Sequence, residues 1–499
     1  MVDRRRFIVG SGAVGTLAVL GTTAACTAQE AEGEAVSETM PATGHVRSAT
    51  AITQVFGDGQ KLIAVAVEYD TDITGSALST STFKVTGRTV TKVYPNRSAD
   101  LAEHGSNGRY VIVELSPDDK AAALWVTQQG SGTASNSSSP SPSASPSPSS
   151  SPSASASPSA SPTASSSSSP TASSSSGSGQ APGGGGPKVG DSTPGGTIVA
   201  AKATLTQTGT VTTTGGTRYP ASTTGLTTDA VKNLIVDDFR QFTFTDPATK
   251  RTLKYNLFIP KGYDRDHHKS YPLVLFMHDA SVVNVATEGP LVQGLGAVCW
   301  ASPEDQARHE AFVLAPEYDS VVIDDTYKPS PLFDATAHLV QELTKKYNLD
   351  EKRLYATGQS MGAMMTLGLT IKYPELFGAS FVVAGQWPAD QAKPLAKKKL
   401  WIVVSQDDDK SYSGENAITK VIKEQGTAVG TAVWNGRSTA AQFAADVRSM
   451  KAQKAPVNYA SFKTGTVVPA GSTTSAHMAT WQVAYTIPGI REWVMNQSL

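Results

Sequence analysis

Arg353-Leu354-Tyr355-Ala356-Thr357-Gly358-Gln359-Ser360-Met361-Gly362 decides how the rest of the chain is read. Arg353–Thr357 predicts a strand, and Met361–Lys372 predicts a helix closed by Tyr373-Pro374. Between them stands the pattern G-x-S-x-G. Alone it is common. Directly after a strand and before a helix it predicts a nucleophile elbow, a tight turn that exposes the hydroxyl of Ser360. The glycines remove side chains that would clash with the strand and the helix. Ser360 then lies at a helix N-terminus, where partial positive charge favours a developing oxyanion.

The surroundings agree with that turn. Tyr271–Met277, Phe312–Ala315, Ser380–Ala384 and Leu400–Ser405 are near-continuous apolar runs. Phe333–Tyr347 carries Leu339, Val340, Leu343 and Tyr347 at helical spacing, and a further helix is expected near Glu415–Gln425. Strand-helix alternation with strands apolar on both faces predicts an α/β domain over residues 236–499, built on a mostly parallel sheet.

A serine hydroxyl is a poor nucleophile without a base. On this kind of sheet the chain order is serine, acid, histidine. His477 is the only histidine after Ser360, in Ser475-Ala476-His477-Met478-Ala479-Thr480-Trp481, and is the expected base. The acid belongs just past Leu400–Ser405, where Asp407-Asp408-Asp409 stand; spacing does not separate three adjacent carboxylates. A metal could draw on several carboxylates, but one loop of adjacent aspartates rarely fills a coordination shell, so none is expected. An oxyanion hole takes one backbone N–H after the nucleophile, that of Met361, and one from the loop after the early strand. That loop is His278-Asp279-Ala280-Ser281; Ala280 is the expected donor, with Asp279 the other choice. His278 precedes the serine and reads as packing for the loop.

The N-terminal half is different in kind. Residues 1–26 read as an export signal: Arg4-Arg5-Arg6, an uncharged stretch from Phe7 to Ala25, then small residues. Arg4-Arg5-Arg6-Phe7-Ile8 resembles the twin-arginine motif, and Ala24-Ala25-Cys26 resembles a lipobox with Cys26 lipidated, although Thr23 stands where Leu is usual. A plain cleaved signal or an uncleaved anchor helix are the other readings, and all three place the body outside the cytoplasm. Gly10-Ser11-Gly12-Ala13-Val14-Gly15 matches G-x-G-x-x-G but has no strand-helix context, so it is set aside as a dinucleotide site.

Residues 45–129 read as short strands, among them Lys61–Tyr69 and Tyr110–Leu115, and Thr197–Tyr219 is again Thr- and Val-rich, with Gly215-Gly216 as a turn. The two stretches, 45–129 plus 197–235, are expected to form one small β-sandwich; two separate β pieces are the alternative. Residues 130–196 between them are Ser-, Pro-, Ala- and Gly-rich, and no charged residue occurs from Gly130 to Pro187. Such a stretch has too little apolar surface to offset the entropy of ordering and reads as a disordered spacer.

Composition narrows the function. The chain has 499 residues with 42 Lys+Arg against 43 Asp+Glu, and this balance argues against nucleic acid as a partner. Two cysteines, Cys26 and Cys299, exclude a disulfide framework and a four-cysteine zinc site.

Val236-Asp237-Asp238-Phe239, Tyr255–Pro260, Phe276-Met277-His278-Asp279-Ala280, Ala315-Pro316-Glu317-Tyr318, Tyr355–Gly362 and His477–Trp481 resemble bacterial exported esterases. Those pair an N-terminal immunoglobulin-like domain with an α/β-hydrolase domain related to polyhydroxybutyrate depolymerases and feruloyl esterases. The resemblance spans nearly all of the chain outside signal and spacer. It implies an α/β-hydrolase domain preceded by a small all-β immunoglobulin-like sandwich, and a Ser-Asp-His carboxylesterase without cofactor. Its substrate would be a small-molecule or polymer ester, and its membrane contact only an N-terminal lipid or signal anchor. The acid loop of related sequences carries a Gly-Asp pair followed by Lys, which falls on Asp407-Asp408; a more general hydrolase pattern favours Asp409. Asp408 is taken as the acid and Asp409 as its rival. Asp279 stands where related sequences carry Gly after His, and Asp407 where they carry Gly in the acid loop. A peptidase of the prolyl-oligopeptidase kind shares fold and triad, and a non-catalytic surface binding module is a third reading. Trp387 and Trp434 are candidates for a pocket or for the core. The acyl and alcohol groups, the role of the sandwich and the oligomeric state are not set by the sequence.

Overall fold

The structure is a computed structural model that describes residues 44–127, 186–265 and 269–499. The signal, Cys26, residues 128–129 of the expected sandwich and residues 130–185 of the expected spacer lie outside the described residues.

The C-terminal domain is built on nine strands. Their order is Phe239–Thr245, Thr252–Phe258, Phe312–Glu317, Tyr271–Met277, Leu349–Gln359, Ala379–Val383, Leu400–Ser405, Val457–Phe462, Val429–Trp434. The first two joins are antiparallel and the others parallel, so the sheet is mostly parallel as expected. Period-2 alternation shows how it is buried. Along Tyr271–Met277 the side chains of Leu273, Leu275 and Met277 enter one core, and those of Val274 and Phe276 enter the other. Each core is closed by helices: Leu332–Lys346 and Met361–Lys372 contribute to the first, Ala476–Ala484 and Pro488–Met495 to the second. Leu349–Gln359, with its partners on both sides, is the central strand that ends at Ser360.

The N-terminal domain is one sandwich. Its larger sheet runs Ala230–Asn233, Val46–Phe56, Gly59–Ile73, Gly108–Leu115, Val90–Asn96, and its smaller one Leu226–Thr227, Thr204–Gln207, Phe83–Val85. Strands from both sides of the spacer thus share sheets. Val67, Val113, Phe83 and Leu205 meet in its core. The first and last strands pair in parallel, with Thr50 opposite Ala230 and Thr53 opposite Asn233. Trp125–Thr127 pairs antiparallel with Gly196–Ile198, setting Thr127 opposite Gly196. The two ends between which residues 128–195 are inserted therefore lie side by side on this ladder, and lengthening a segment between such ends adds little closure cost.

The expected spacer boundary is corrected at its C-terminal end. Residues 186–196 are Gly- and Pro-rich and, unlike the stretch before them, carry Lys188 and Asp191; they form a strap bound to the catalytic domain. The Gly190 N–H donates to Val321 O at 3.0 Å, Val321 N–H to Asp191 O at 2.8 Å, and Gly195 N–H to Ser281 O at 3.0 Å. Val189 N–H donates to Asp324 Oδ2 at 3.1 Å, and Asn284 Nδ2 to Ser192 O at 3.1 Å. These bonds use backbone groups, which composition does not reveal. Sandwich and catalytic domain lie within one compact unit, Thr43–Leu499, and Val55 and Trp125 of the sandwich enter the second core.

Candidate active site

Ser360 sits between strand and helix at φ 53° and ψ −116°. A left-handed φ on a non-glycine residue costs about 1–3 kcal/mol and persists only where the surroundings enforce it. Here they do. A Cβ on Gly362 would lie 1.9 Å from Met277 O, and one on Gly358 would lie 2.4 Å from the Gly362 carbonyl carbon. Only glycine at both positions lets the turn pass so close to the neighbouring strand. Met361 opens a 12-residue helix, whose first N–H groups have no acceptor within the helix.

The three expected side chains come together. His477 Nε2 lies 2.8 Å from Ser360 Oγ, and His477 Nδ1 lies 2.5 Å from Asp408 Oδ2. His477 stands in the first turn of Ala476–Ala484, which Ser475 caps by accepting from Met478 N–H at 3.2 Å. Trp481, one turn on, meets the imidazole edge-on with centroids 5.1 Å apart.

The aspartate triplet resolves into three roles. Asp408 is the N-cap of Asp409–Glu424; one oxygen accepts from Ser411 N–H at 3.3 Å while the other faces His477. Burial alone would raise its carboxyl, but the bond and charge of His477 and the bonds from Ser411 outweigh burial and hold it below the ordinary range. Asp407 is exposed and accepts from Gly465 N–H at 2.7 Å. Asp409 is the exposed first residue of the helix. Among the described residues no group of three or more His, Cys, Asp or Glu side chains converges on a metal position.

Ala280 and Met361 both line the pocket of about 400 Å³ that holds Ser360 and His477. The Ala280 loop is fastened from two sides. His278 is wholly buried; its Nε2 accepts from Tyr318 N–H at 3.1 Å, so Nδ1 carries the proton and donates to Asp279 O at 2.7 Å. Burial pushes its imidazole down to about 4, which keeps it neutral. Asp279 uses both carboxylate oxygens. Oδ1 accepts from the Ser281 N–H at 2.9 Å and from its hydroxyl at 2.5 Å, and Oδ2 accepts from Gln359 Nε2 at 2.8 Å. Gln359 Nε2 also donates to Gln293 Oε1 at 3.1 Å. Sequence reading singled out Asp279 as a departure and as the other choice for the oxyanion donor, not as a clamp, and missed the roles of Gln359, Gln293 and Ser411. Polar residues inside an apolar strand-helix junction were the available signal.

Glu415 lies behind Asp408, fully buried, with Oε1 accepting from Gly385 N–H at 2.9 Å. Burial first, and the nearby Asp408 charge second, raise its carboxyl well above the ordinary range. Asp325, which also lines the Ser360 pocket, accepts from Gln386 Nε2 at 2.9 Å and pairs with Lys410. Trp387 is buried against Tyr327, and Trp434 against Trp401 and Phe443, so both belong to the core rather than to the pocket. Cys299 and Trp300 are buried in the second core.

Three comparisons with known proteins bear on this arrangement. Residues 48–220 match the model of the esterase Ig-like N-terminal domain. A crystal structure of a thermostable esterase aligns with 91% of this chain and 100% of its own, with a TM-score of 0.68 and 25% identity. Acetylxylan esterase A of Emericella nidulans is 30% identical over 97 residues, and that of Aspergillus oryzae 42% identical over 52. These alignments span 16% and 10% of this chain, and 32% and 17% of the two relatives.

Proposed function

We propose that this chain, an α/β-hydrolase domain behind an esterase-type immunoglobulin-like domain, is a serine carboxylesterase that works through an acyl-enzyme on Ser360. The observation that carries the reading is the unbroken relay from Asp408 Oδ2 to His477 Nδ1 and from His477 Nε2 to Ser360 Oγ, at 2.5 and 2.8 Å. The comparisons add support from proteins named as esterases.

The chemistry follows from that geometry. Ser360 Oγ attacks the ester carbonyl while His477 Nε2 takes its proton. The negative charge that develops on the carbonyl oxygen is met by the N–H groups of Met361 and Ala280, each such donor contributing roughly 3 kcal/mol to the transition state. Collapse breaks the bond to the alcohol, and Nε2 returns the proton to the leaving alkoxide. Water then repeats the cycle and frees the acid. Asp408 holds the ring with Nδ1–H toward itself and stabilises the imidazolium. No step calls on a cofactor. Export is inferred from Arg4-Arg5-Arg6 and the uncharged stretch that follows, and lipidation of Cys26 from Ala24-Ala25-Cys26.

The test is labelling with a fluorophosphonate probe together with p-nitrophenyl acetate turnover. Wild type labels and turns over, and Ser360→Ala does neither. A folded wild-type protein inert in both assays defeats the reading.

A further inference from the structure

The helix Asp409–Glu424 turns one face to the core. Its buried residues are Ser411, Glu415, Ile418, Thr419 and Ile422, at helical spacing. Glu415 breaks the character of that face, because it is a wholly buried carboxyl one turn before two isoleucines. Its Oε1 accepts from Gly385 N–H at 2.9 Å, and its Oε2 has no partner among the described residues. A buried oxygen left unpaired costs the fold stability, so packing does not account for this side chain.

What Glu415 holds is the link between nucleophile and acid. The turn Ala384-Gly385 follows the strand Ala379–Val383, which lies between the strand leading into Ser360 and the strand Leu400–Ser405 that precedes Asp408. Ser360 N–H donates to Val383 O at 3.1 Å, and Ala384 N–H donates to Val403 O at 2.9 Å. Ala384 stands at φ 53° and lines the Ser360 pocket. Gly385 packs so closely on the elbow helix that a Cβ there would lie 2.8 Å from Ala363 Cβ. Two side chains of the helix that Asp408 caps, one turn apart, fasten this turn. Ser411 Oγ donates to Ala384 O at 3.3 Å, and Glu415 takes the next N–H.

We propose that Glu415 is a positioning residue for the esterase reaction: by gripping Gly385 it sets the turn beside Ser360 against the helix capped by Asp408, and so fixes nucleophile and acid at the span that His477 bridges. The proposal rests on the serine-esterase reading and deepens it. Glu415 does this uncharged. The ionisable groups around it are Asp408, at the start of its own helix, and Tyr459 of the strand Val457–Phe462, and neither is a cation. A carboxylate in that place would be buried without a counter-charge. The uncharged acid leaves Asp408 as the carboxylate charge behind the imidazole.

The experiment uses three variants of the full chain, p-nitrophenyl acetate kinetics from about pH 5 to 9, and urea denaturation. Glu415→Gln keeps an acceptor for Gly385 and carries no charge. Glu415→Leu fills the same space without an acceptor. Ile422→Ala disturbs only the packing of the same helix face. Glu415→Leu should lower kcat by about tenfold or more with KM within about twofold. Glu415→Gln should return kcat to within about threefold of wild type and leave the acid limb of kcat/KM in place. Ile422→Ala should lose stability in urea yet keep its kcat. If Glu415→Leu fails to fold, Glu415→Met, a more adaptable filler, reads the same loss. Wild-type kcat in the leucine or methionine variant overturns the proposal, and so does an equal loss of kcat in Ile422→Ala. An acid limb moved to lower pH in Glu415→Gln would show that wild type carries a charge at Glu415, and that too overturns it. A wild-type protein inert toward p-nitrophenyl acetate would instead strike the esterase reading, so the two failures are separable.

Discussion

Asp279 Oδ2 accepts from Gln359 Nε2 at 2.8 Å and so ties the loop that carries Ala280 to the residue just before Ser360. Both side chains are buried, at 5% and 1% exposure, and the other oxygen of Asp279 holds the turn at Ser281. One carboxylate thereby spans 80 positions of sequence and sets the two proposed oxyanion donors against each other.

Cutting that clamp should act on the transition state more than on binding. Asp279→Ala is expected to lower kcat for p-nitrophenyl acetate by roughly 10- to 100-fold, with KM changed far less. Asp279→Asn keeps one acceptor and should recover part of the loss. A rise in KM with kcat intact would show that Asp279 serves binding instead.

The aspartate triplet gives an equally sharp contrast. Asp408→Asn should lower kcat by up to about 10⁴-fold, because the amide leaves the ring in the wrong tautomer. Asp409→Asn, at an exposed helix position, should stay within about twofold of wild type. Steady-state kinetics on the purified variants decides, and a large loss in Asp409→Asn alone would reverse the assignment.

Gly362→Ala tests the elbow as a structural element. Its new Cβ would meet Met277 O at 1.9 Å, a backbone atom of a central strand that cannot swing aside. We expect a loss of about 3 kcal/mol or failure to fold, read by urea denaturation. A variant as stable as wild type would mean that the strand-helix junction is looser than drawn.

Stability should depend on pH through His278. Its folded value is depressed to about 4 from an ordinary 6.5. Between those values the unfolded chain binds a proton that the folded protein refuses. Its contribution is therefore fully present above 6.5 and declines as pH falls toward 4, by up to about 3 kcal/mol. Glu415 acts with the opposite sign: its raised carboxyl favours folding below its ordinary value of 4.5, and that contribution is lost as pH rises. Urea unfolding of His278→Gln from pH 7 to 4 should show a flatter acid decline than wild type; an unchanged slope would remove His278 as its source.

The legible and illegible parts of the molecule divide along a physical line. The elbow and His477 could be read because short-range chemistry names them: glycines two positions either side of a serine, and a single histidine in the required order. The alternation of strands and helices was equally local. Asp408 and Asp409 could not be separated by spacing, since adjacent residues differ only in which way the backbone turns; the N-cap conformation at Asp408 decides it. The strap over 186–196 could not be told from the spacer by its Gly and Pro content, because its anchoring groups are main-chain N–H and C=O groups, present in nearly every residue. The Asp279–Gln359 clamp joins two segments far apart in sequence, and no periodicity reports such a pair.

The parallel pairing of Val46–Phe56 with Ala230–Asn233 has a mechanical meaning. The chain enters the sandwich at the start of one strand and leaves toward the catalytic domain from the far end of its neighbour. Tension applied between the two sides of the sandwich therefore loads the rungs of that ladder together, in shear, instead of peeling them one at a time. In an optical trap the sandwich should yield as one abrupt event at high force, so the fold makes this module the stiff element in the path of a pull on the two ends of the domain.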